Sequence, residues 1–431
     1  WRRKHSTNGT PKMYGKGVAI GDDGLVRAWD GVDKIYVFNP DKPNLGWRVE
    51  DWADGGPRRG YRGRTFEKFQ YIGDGFFAGV SSPETGFWIY MPSNEKRLSE
   101  VSTIDPQQFI DKAQAGDTVT IPPGVYNKGI RISKSLTVKL AGVSLRGVKD
   151  RKGIINIEGS DLRVVIEDFR GDGKLAGATR SNEAGIRIVG RNFDVKVRRA
   201  HISGSVMGIL TDNKGGRLVV EDSLIEELGQ YPKRSDLTHG LYAGAIDEFI
   251  VRNSTVRAPR GLGHLVKSRA KRTILDRVRL IGLDAHHSRL VDLSCGGEFT
   301  VTDSIFQQST NTDNAEMMAI GFEKSNCGRF YAPADVTITG STFVFDRDFS
   351  GDEPSRLAGA NFFMGWRYGI SSEKIEGNRI IDKTGSFLWI GKPHVETGKN
   401  DIVLPRDLTP LNQFFTSREA AGLNPDDNSV P

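Results

Sequence analysis

Three short segments of this chain, HGLYAG, HLVKSRA and RLVDLSCGG, recur between His239 and Gly297 and place Tyr242, Lys267 and Asp292 each 25 residues apart. A fixed spacing of that length constrains the fold more than any other feature, because it lets one supersecondary unit stack on the next with equivalent residues in columns. In a parallel β-helix, neighbouring strands lie about 4.8 Å apart, so the three residues would form one column. Side chains alternate between the two faces of a strand. The flanking pairs Leu241/Ala243, Val266/Ser268 and Val291/Leu293 are apolar or small, so the polar column is expected to face outward.

The rest of the chain agrees with a solenoid. Its 431 residues include 51 glycines, and short runs such as TVTI, GIRIV, FIVRN and VTITG are each bounded by Gly, Asn, Asp or Pro, which reads as many short strands. No run of 18 apolar residues occurs, so no membrane span is expected. The chain begins at Trp1, which reads as a processed or truncated start with any signal peptide removed. Cys295 and Cys327 follow strand segments of consecutive coils. A disulfide between them is sterically open, but two buried thiols acting as small hydrophobes are the expectation.

Three regions are expected. Residues 1–100 lack the period and carry five of the seven tryptophans, which points to a separate small β-rich module with a Trp-based core. Residues 101–396 form the solenoid, opened by a short amphipathic helix at about 106–115 that caps its first apolar layer. Residues 397–431, with four prolines and the helical pattern TSREAAGL, form a C-terminal cap or tail. A second strand in each coil reads Val-x-Asp/Asn-Ser-x-apolar, as in VVEDSLI, IVRNSTV and TVTDSIF, and its Asp, Asn and Ser suit bends where side chains bond backbone.

The opening AGDTVTIPPGVY, the coil spacing and the Asp/Asn-Ser bends resemble the pectate-lyase-like right-handed parallel β-helix superfamily over roughly residues 104–395. HGLYAG, FIVRNSTV, GHLVKSRA and VDLSCGG, in that order, are similar to a group of bacterial right-handed β-helix repeat proteins. The resemblance implies an all-β, right-handed parallel β-helix. It further implies that outward Lys267 and Arg269 serve an eliminative lyase. Neither the Asn-Gly-Gly-Glu run of chondroitin and alginate lyases nor the Asp-Pro-His motif of mannuronan epimerases occurs.

The chemistry follows from residue types. Eliminative cleavage of a uronic-acid polymer needs a cation to neutralise the carboxylate and a base beside the neighbouring carbon. Lys267 and Arg269 suit the first role, and Tyr242, His239, His264 or Lys267 the second. Asp292, Glu323, Arg289 and Arg260 are expected to contact substrate. The side chain of His264 shares the inward parity of Val266 and Ser268, so a hydrogen-bonded core histidine is an equal reading. His286 and His287 in DAHHSR read as a solvated pair. Between Arg252 and Arg289, ten Lys/Arg stand against Asp276 and Asp284, an excess of +8 that suits an anionic partner.

Four functions remain open. An acidic-polysaccharide lyase or epimerase comes first, and a non-catalytic virion tailspike or surface adhesin second, with the N-terminal module supporting a homotrimer or larger assembly. A glycoside hydrolase using Asp292, Glu323 and Glu316 is third. Nucleic-acid binding is fourth, since no base-stacking motif accompanies the basic residues. The protein is expected to be extracellular, periplasmic or virion-associated. No metal motif occurs; Ca²⁺ is left open without one.

Overall fold

In the computed structural model the chain divides into two compact units, Trp1–Glu100 and Val101–Pro431. The structure describes residues 17–20, 24–29, 35–40, 46–50, 69–73, 76–82, 86–90, 101–102, 104–148, 152–173, 183–211, 214–229, 238–257, 261–283, 285–309, 311–323, 327, 331–347, 361–367, 369–382, 387–388 and 400–403. Arg260, Asp284 and most of the expected cap at 397–431 lie outside them; within that cap, Asp401–Val403 instead adds an edge strand to the solenoid, pairing with Arg379–Asp382.

The first unit holds two antiparallel sheets, one of four strands from Gly17–Ile20 to Trp47–Glu50 and one of three from Phe69–Gly73 to Gly86–Tyr90. Alternation gives the four-stranded sheet two faces. Trp29, Ile35 and Val37 point inward and pack with Leu25, Phe69 and Phe77, so this core does rest on a tryptophan. Val18, Ile20 and Val49 lie on the opposite face and are exposed.

The second unit is a parallel β-helix. Its strands stack into three parallel sheets of 12, 10 and 10 strands, each coil adding one strand to each sheet in turn. One long core of Ile, Val, Leu and Phe fills the interior from Ile110 to Ile380. The capping helix spans Gln107–Lys112, with Ile110 buried and Phe109 packed against the core. It is shorter than the sequence pattern suggested because the chain turns extended at Ala113. There Asp117 accepts the Gln114 N–H at 2.7 Å, and the Lys134 ammonium satisfies the carbonyls of Asp111 and Ala113. Among the described residues, no helix is long and apolar enough to cross a membrane.

The Asp/Asn-Ser bends explain the second strand motif. Asp222, Asn253 and Asp303 take φ values of 50°, 46° and 48°, a left-handed turn that Asp and Asn tolerate better than other side chains. The serine that follows is buried in each case. Ser223 N–H donates to Ser254 Oγ at 3.1 Å, Ser304 N–H to Ser341 Oγ at 3.0 Å, and Ser341 N–H to Asn378 Oδ1 at 2.9 Å. Side-chain oxygens of one coil thus satisfy buried amides of the coil before it, where no strand ladder reaches.

The basic stretch does not form one patch. Outward columns of the sheet containing Glu248–Arg252 alternate in sign: Arg217, Glu248, Arg272 and Glu298 sit in register, as do Glu167, Arg198, Glu221, Arg252 and Asp276. Arg272 reaches Glu248 at 3.0 Å and Glu298 at 3.7 Å, while Arg257, on another sheet, binds Glu226 at 2.7 Å. Residues adjacent along the chain are dispersed around the coil. Several, such as Arg272 and Arg257, then meet carboxylates from coils 24 or more residues away, so an excess counted along the sequence is partly cancelled in space.

Candidate active site

Strands Leu241–Ala243, Val266–Ser268 and Val291–Leu293 are parallel neighbours, with Tyr242 opposite Lys267 and Lys267 opposite Asp292. Leu241, Ala243, Val266, Val291 and Leu293 all belong to the core, so the intervening polar residues face away from it. They are nevertheless covered: Lys267 is 7% and Asp292 3% exposed, and Tyr242 is half-buried. The expectation of an open outward column is therefore corrected. Lys267 is covered by Glu323 and Tyr242 packs against Ala184, Val206, Met207 and Leu210; Glu323 and Phe322, in the turn after strand Glu316–Ile320, line a cleft of about 390 Å³ together with Leu262, His264, Lys267, Ser288, Arg289, Asp292 and Asp313.

A carboxylate bridges two cations here. Glu323 Oε1 accepts from Lys267 Nζ at 2.5 Å and Oε2 from an Arg269 terminal nitrogen at 2.6 Å. Lys267 Nζ also stands 3.9 Å from Asp292 Oδ2. Both cations lie over the Tyr242 ring, at 5.6 Å for Lys267 and 5.4 Å for Arg269, a cation–π arrangement that fixes the phenol beside them. Arg289 binds Glu316 at 3.2 Å and lies 5.4 Å from the Phe322 ring.

Two histidines buttress the column. His264 does not enter the core, because Leu265 and Val266 both point inward and the alternation breaks at the corner before the strand. Its backbone N–H donates to His239 Nδ1 at 3.0 Å, and Arg289 N–H donates to His264 Nδ1 at 3.2 Å. A ring whose Nδ1 accepts carries its proton on Nε2, so His264 Nε2–H donates to Asp292 Oδ2 at 3.0 Å. The rings of His239 and His264 stack at 5.2 Å, and His239 meets Tyr242 edge-on at 5.2 Å. His239 is 1% exposed and does not line the cleft.

The electrostatics follow from burial and pairing. Burial works to raise the Asp292 carboxyl, but the His264 hydrogen bond and the Lys267 and Arg289 charges hold it at about 2. Burial likewise opposes ionisation of Glu323, and its bonds from Lys267 and Arg269 bring it below the ordinary carboxylate range. Tyr242 is raised, chiefly by burial, with Arg269 pulling the other way. Burial and the neighbouring His264 and Lys267 keep the His239 imidazole neutral. Asp292 Oδ1 is buried and has no hydrogen-bond donor among the described residues.

Two cations, Lys267 and Arg289, line the cleft against three carboxylates, Asp292, Asp313 and Glu323. The lining is thus not a positive groove, contrary to the expectation from the basic stretch. The solvated reading of DAHHSR fails for His287, which is fully buried and accepts the Ser309 N–H at Nε2, while His286 pairs with Asp313. Cys295 and Cys327 form a disulfide, with Cα atoms 5.7 Å apart, instead of two free thiols. Next to it, Glu323 N–H donates to Ser294 O at 3.1 Å, so the Glu323 turn is fastened to the segment that follows Asp292.

The structure therefore brings Lys267, Asp292, His264, Arg289 and Glu323 together on the cleft, with Tyr242 and Arg269 beside them through the Lys267 and Glu323 contacts and His239 behind. Ser288 and Asp313 were missed, although they repeat the 25-residue spacing. Phe322 and Leu262 carried no signal beyond adjacency to Glu323 and His264. No group of three or more His, Cys, Asp or Glu able to hold a metal ion occurs among the described residues. A scan of the sequence against protein-family models finds no match, and no curated protein is similar to it.

Proposed function

We propose that this β-helix protein acts on an acidic polysaccharide by β-elimination, with the cleft beside Tyr242, Lys267 and Asp292 as its active site. The observation that carries this reading is the Lys267–Arg269 pair, which grips the two oxygens of one carboxylate at 2.5 and 2.6 Å. That is the arrangement needed to neutralise a uronate carboxylate and acidify the neighbouring carbon. Tyr242, under both cations, takes the proton from that carbon. The glycosidic bond breaks, its electrons leave with the oxygen, a carbon–carbon double bond forms, and Tyr242 returns its proton to the departing oxygen. Return of a proton to the opposite face of the same carbon instead would give epimerisation.

Hydrolysis is less well supported. It requires a carboxyl group that stays protonated to serve as acid, whereas Asp292 and Glu323 are both held ionised. A binding-only tailspike or adhesin shares the fold but gives no reason for a phenol clamped under two cations. An acidic glycan substrate implies action outside the cytoplasm or on a virion, and the Cys295–Cys327 disulfide suits such an oxidising setting.

The test is incubation with a panel of polyuronates while following ultraviolet absorbance of unsaturated products. Product should form on at least one polymer, at a rate that rises from neutral into alkaline pH because the raised Tyr242 phenol must first ionise. Binding without product on any polymer would leave the adhesin reading in its place.

A further inference from the structure

We infer that Glu323 is an internal occupant of the substrate-carboxylate site and not a substrate contact, so that a uronic-acid residue binds by displacing it. This rests on the reading of Lys267 and Arg269 as the carboxylate clamp and refines it. Three observations point the same way. Glu323 offers one oxygen to each cation, as a bound uronate would. Among the described residues, Lys267 has Asp292 as its next carboxylate, at 3.9 Å, a distance beyond hydrogen bonding. With Glu323 in place the cleft lining carries more carboxylates than cations, which is unsuited to an anionic chain unless one of those carboxylates leaves.

Glu323 is also the group best placed to leave. Lys267 and Asp292 stand on strands of the stacked sheet, whereas Glu323 stands in a turn and its side chain is 26% exposed. The disulfide and the Glu323 N–H bond to Ser294 O hold the backbone of the turn while the side chain swings aside. A second feature defines the ligand. Asp292 lines the cleft and its Oδ1 has no donor among the described residues, so that oxygen is left to accept from a ligand hydroxyl while Oδ2 is engaged by His264. The ligand class is thus a sugar bearing both a carboxylate and a free hydroxyl.

The experiment uses the intact chain, with glucuronate and glucose as probes in calorimetric titration. Glu323→Gln and Glu323→Ala should each bind glucuronate at least about tenfold more tightly than the wild type, with no gain for glucose. Adding Arg269→Ala to Glu323→Gln should abolish that gain. A folded Glu323→Gln protein, judged by an unchanged near-ultraviolet dichroism spectrum, that binds glucuronate no better or worse than the wild type would overturn the inference. A gain in glucuronate binding in a protein that never yields unsaturated product would uphold the carboxylate site while removing the lyase reading.

Discussion

At the scale of single residues, cover decides behaviour. An exposed lysine can be removed with little effect on stability, but Lys267 is 7% exposed and braced between Glu323 and Asp292. Removing one partner of a buried ion pair leaves the other charge uncompensated and costs about 3 kcal/mol or more. Lys267→Ala should therefore lower the unfolding free energy by about that amount, whereas Arg269→Ala, at a side chain 23% exposed, should cost about 1 kcal/mol. Denaturant titration of the two variants checks the order; equal and negligible losses would mean that Lys267 is not buried as described. Buried imidazoles set the response to acid. His287, desolvated and near His264 and His286, is pushed down to about 3 from an ordinary 6.5. Its neutral form is the one the fold accommodates, so its contribution is complete above pH 6.5 and is lost as pH falls toward 3. The loss is on the order of 5 kcal/mol for such a shift, with His239 adding in the same direction. Unfolding free energy measured against pH should fall steadily below pH 6.5, and a flat profile between 7 and 4 would contradict a buried neutral His287.

At the scale of elements, each strand is too short to stand alone, and register between coils holds the solenoid. In the sheet containing Glu248–Arg252, opposite charges meet in register along two columns. A slip of one coil along a column would bring like charges together, so the alternation selects one register even though each exposed pair contributes little. The bends add a second constraint, in which Ser254 Oγ accepts the Ser223 N–H at 3.1 Å and donates to Arg252 O at 2.6 Å. Ser254→Ala leaves a buried backbone donor without its acceptor and should cost about 1–3 kcal/mol. Thermal unfolding of that variant beside a substitution at exposed Lys271 checks this, and equal melting temperatures would show that water satisfies the bend instead.

At the scale of the whole molecule, the stacking was legible in the sequence because parallel coils keep equivalent residues at a near-constant separation, and Tyr242, Lys267 and Asp292 do lie in register. Their burial was not legible. That of Lys267 depends on Glu323, 56 residues away along the chain and in a turn with no periodic signature, and that of Tyr242 on Ala184, Val206, Met207 and Leu210 from earlier coils. Of the two readings of His264, the inward one fails because strict alternation breaks where the chain turns the corner at Leu265. The Cys295–Cys327 link, at a separation of 32 residues, departs from the coil spacing that revealed everything else. The dispersal of the basic stretch follows from the fold itself, since a coil sends consecutive charges to three different sheets. The proposed entry of substrate into this cleft is through its carboxylate. It is tested most directly by giving the protein a polyuronate and the same polymer with its carboxylates reduced to neutral alcohols, and following ultraviolet absorbance and new reducing ends together. Unsaturated product should form from the acidic polymer and the reduced one should not be cleaved; new reducing ends from the reduced polymer, without absorbance, would show that the carboxylate is not what the cleft engages.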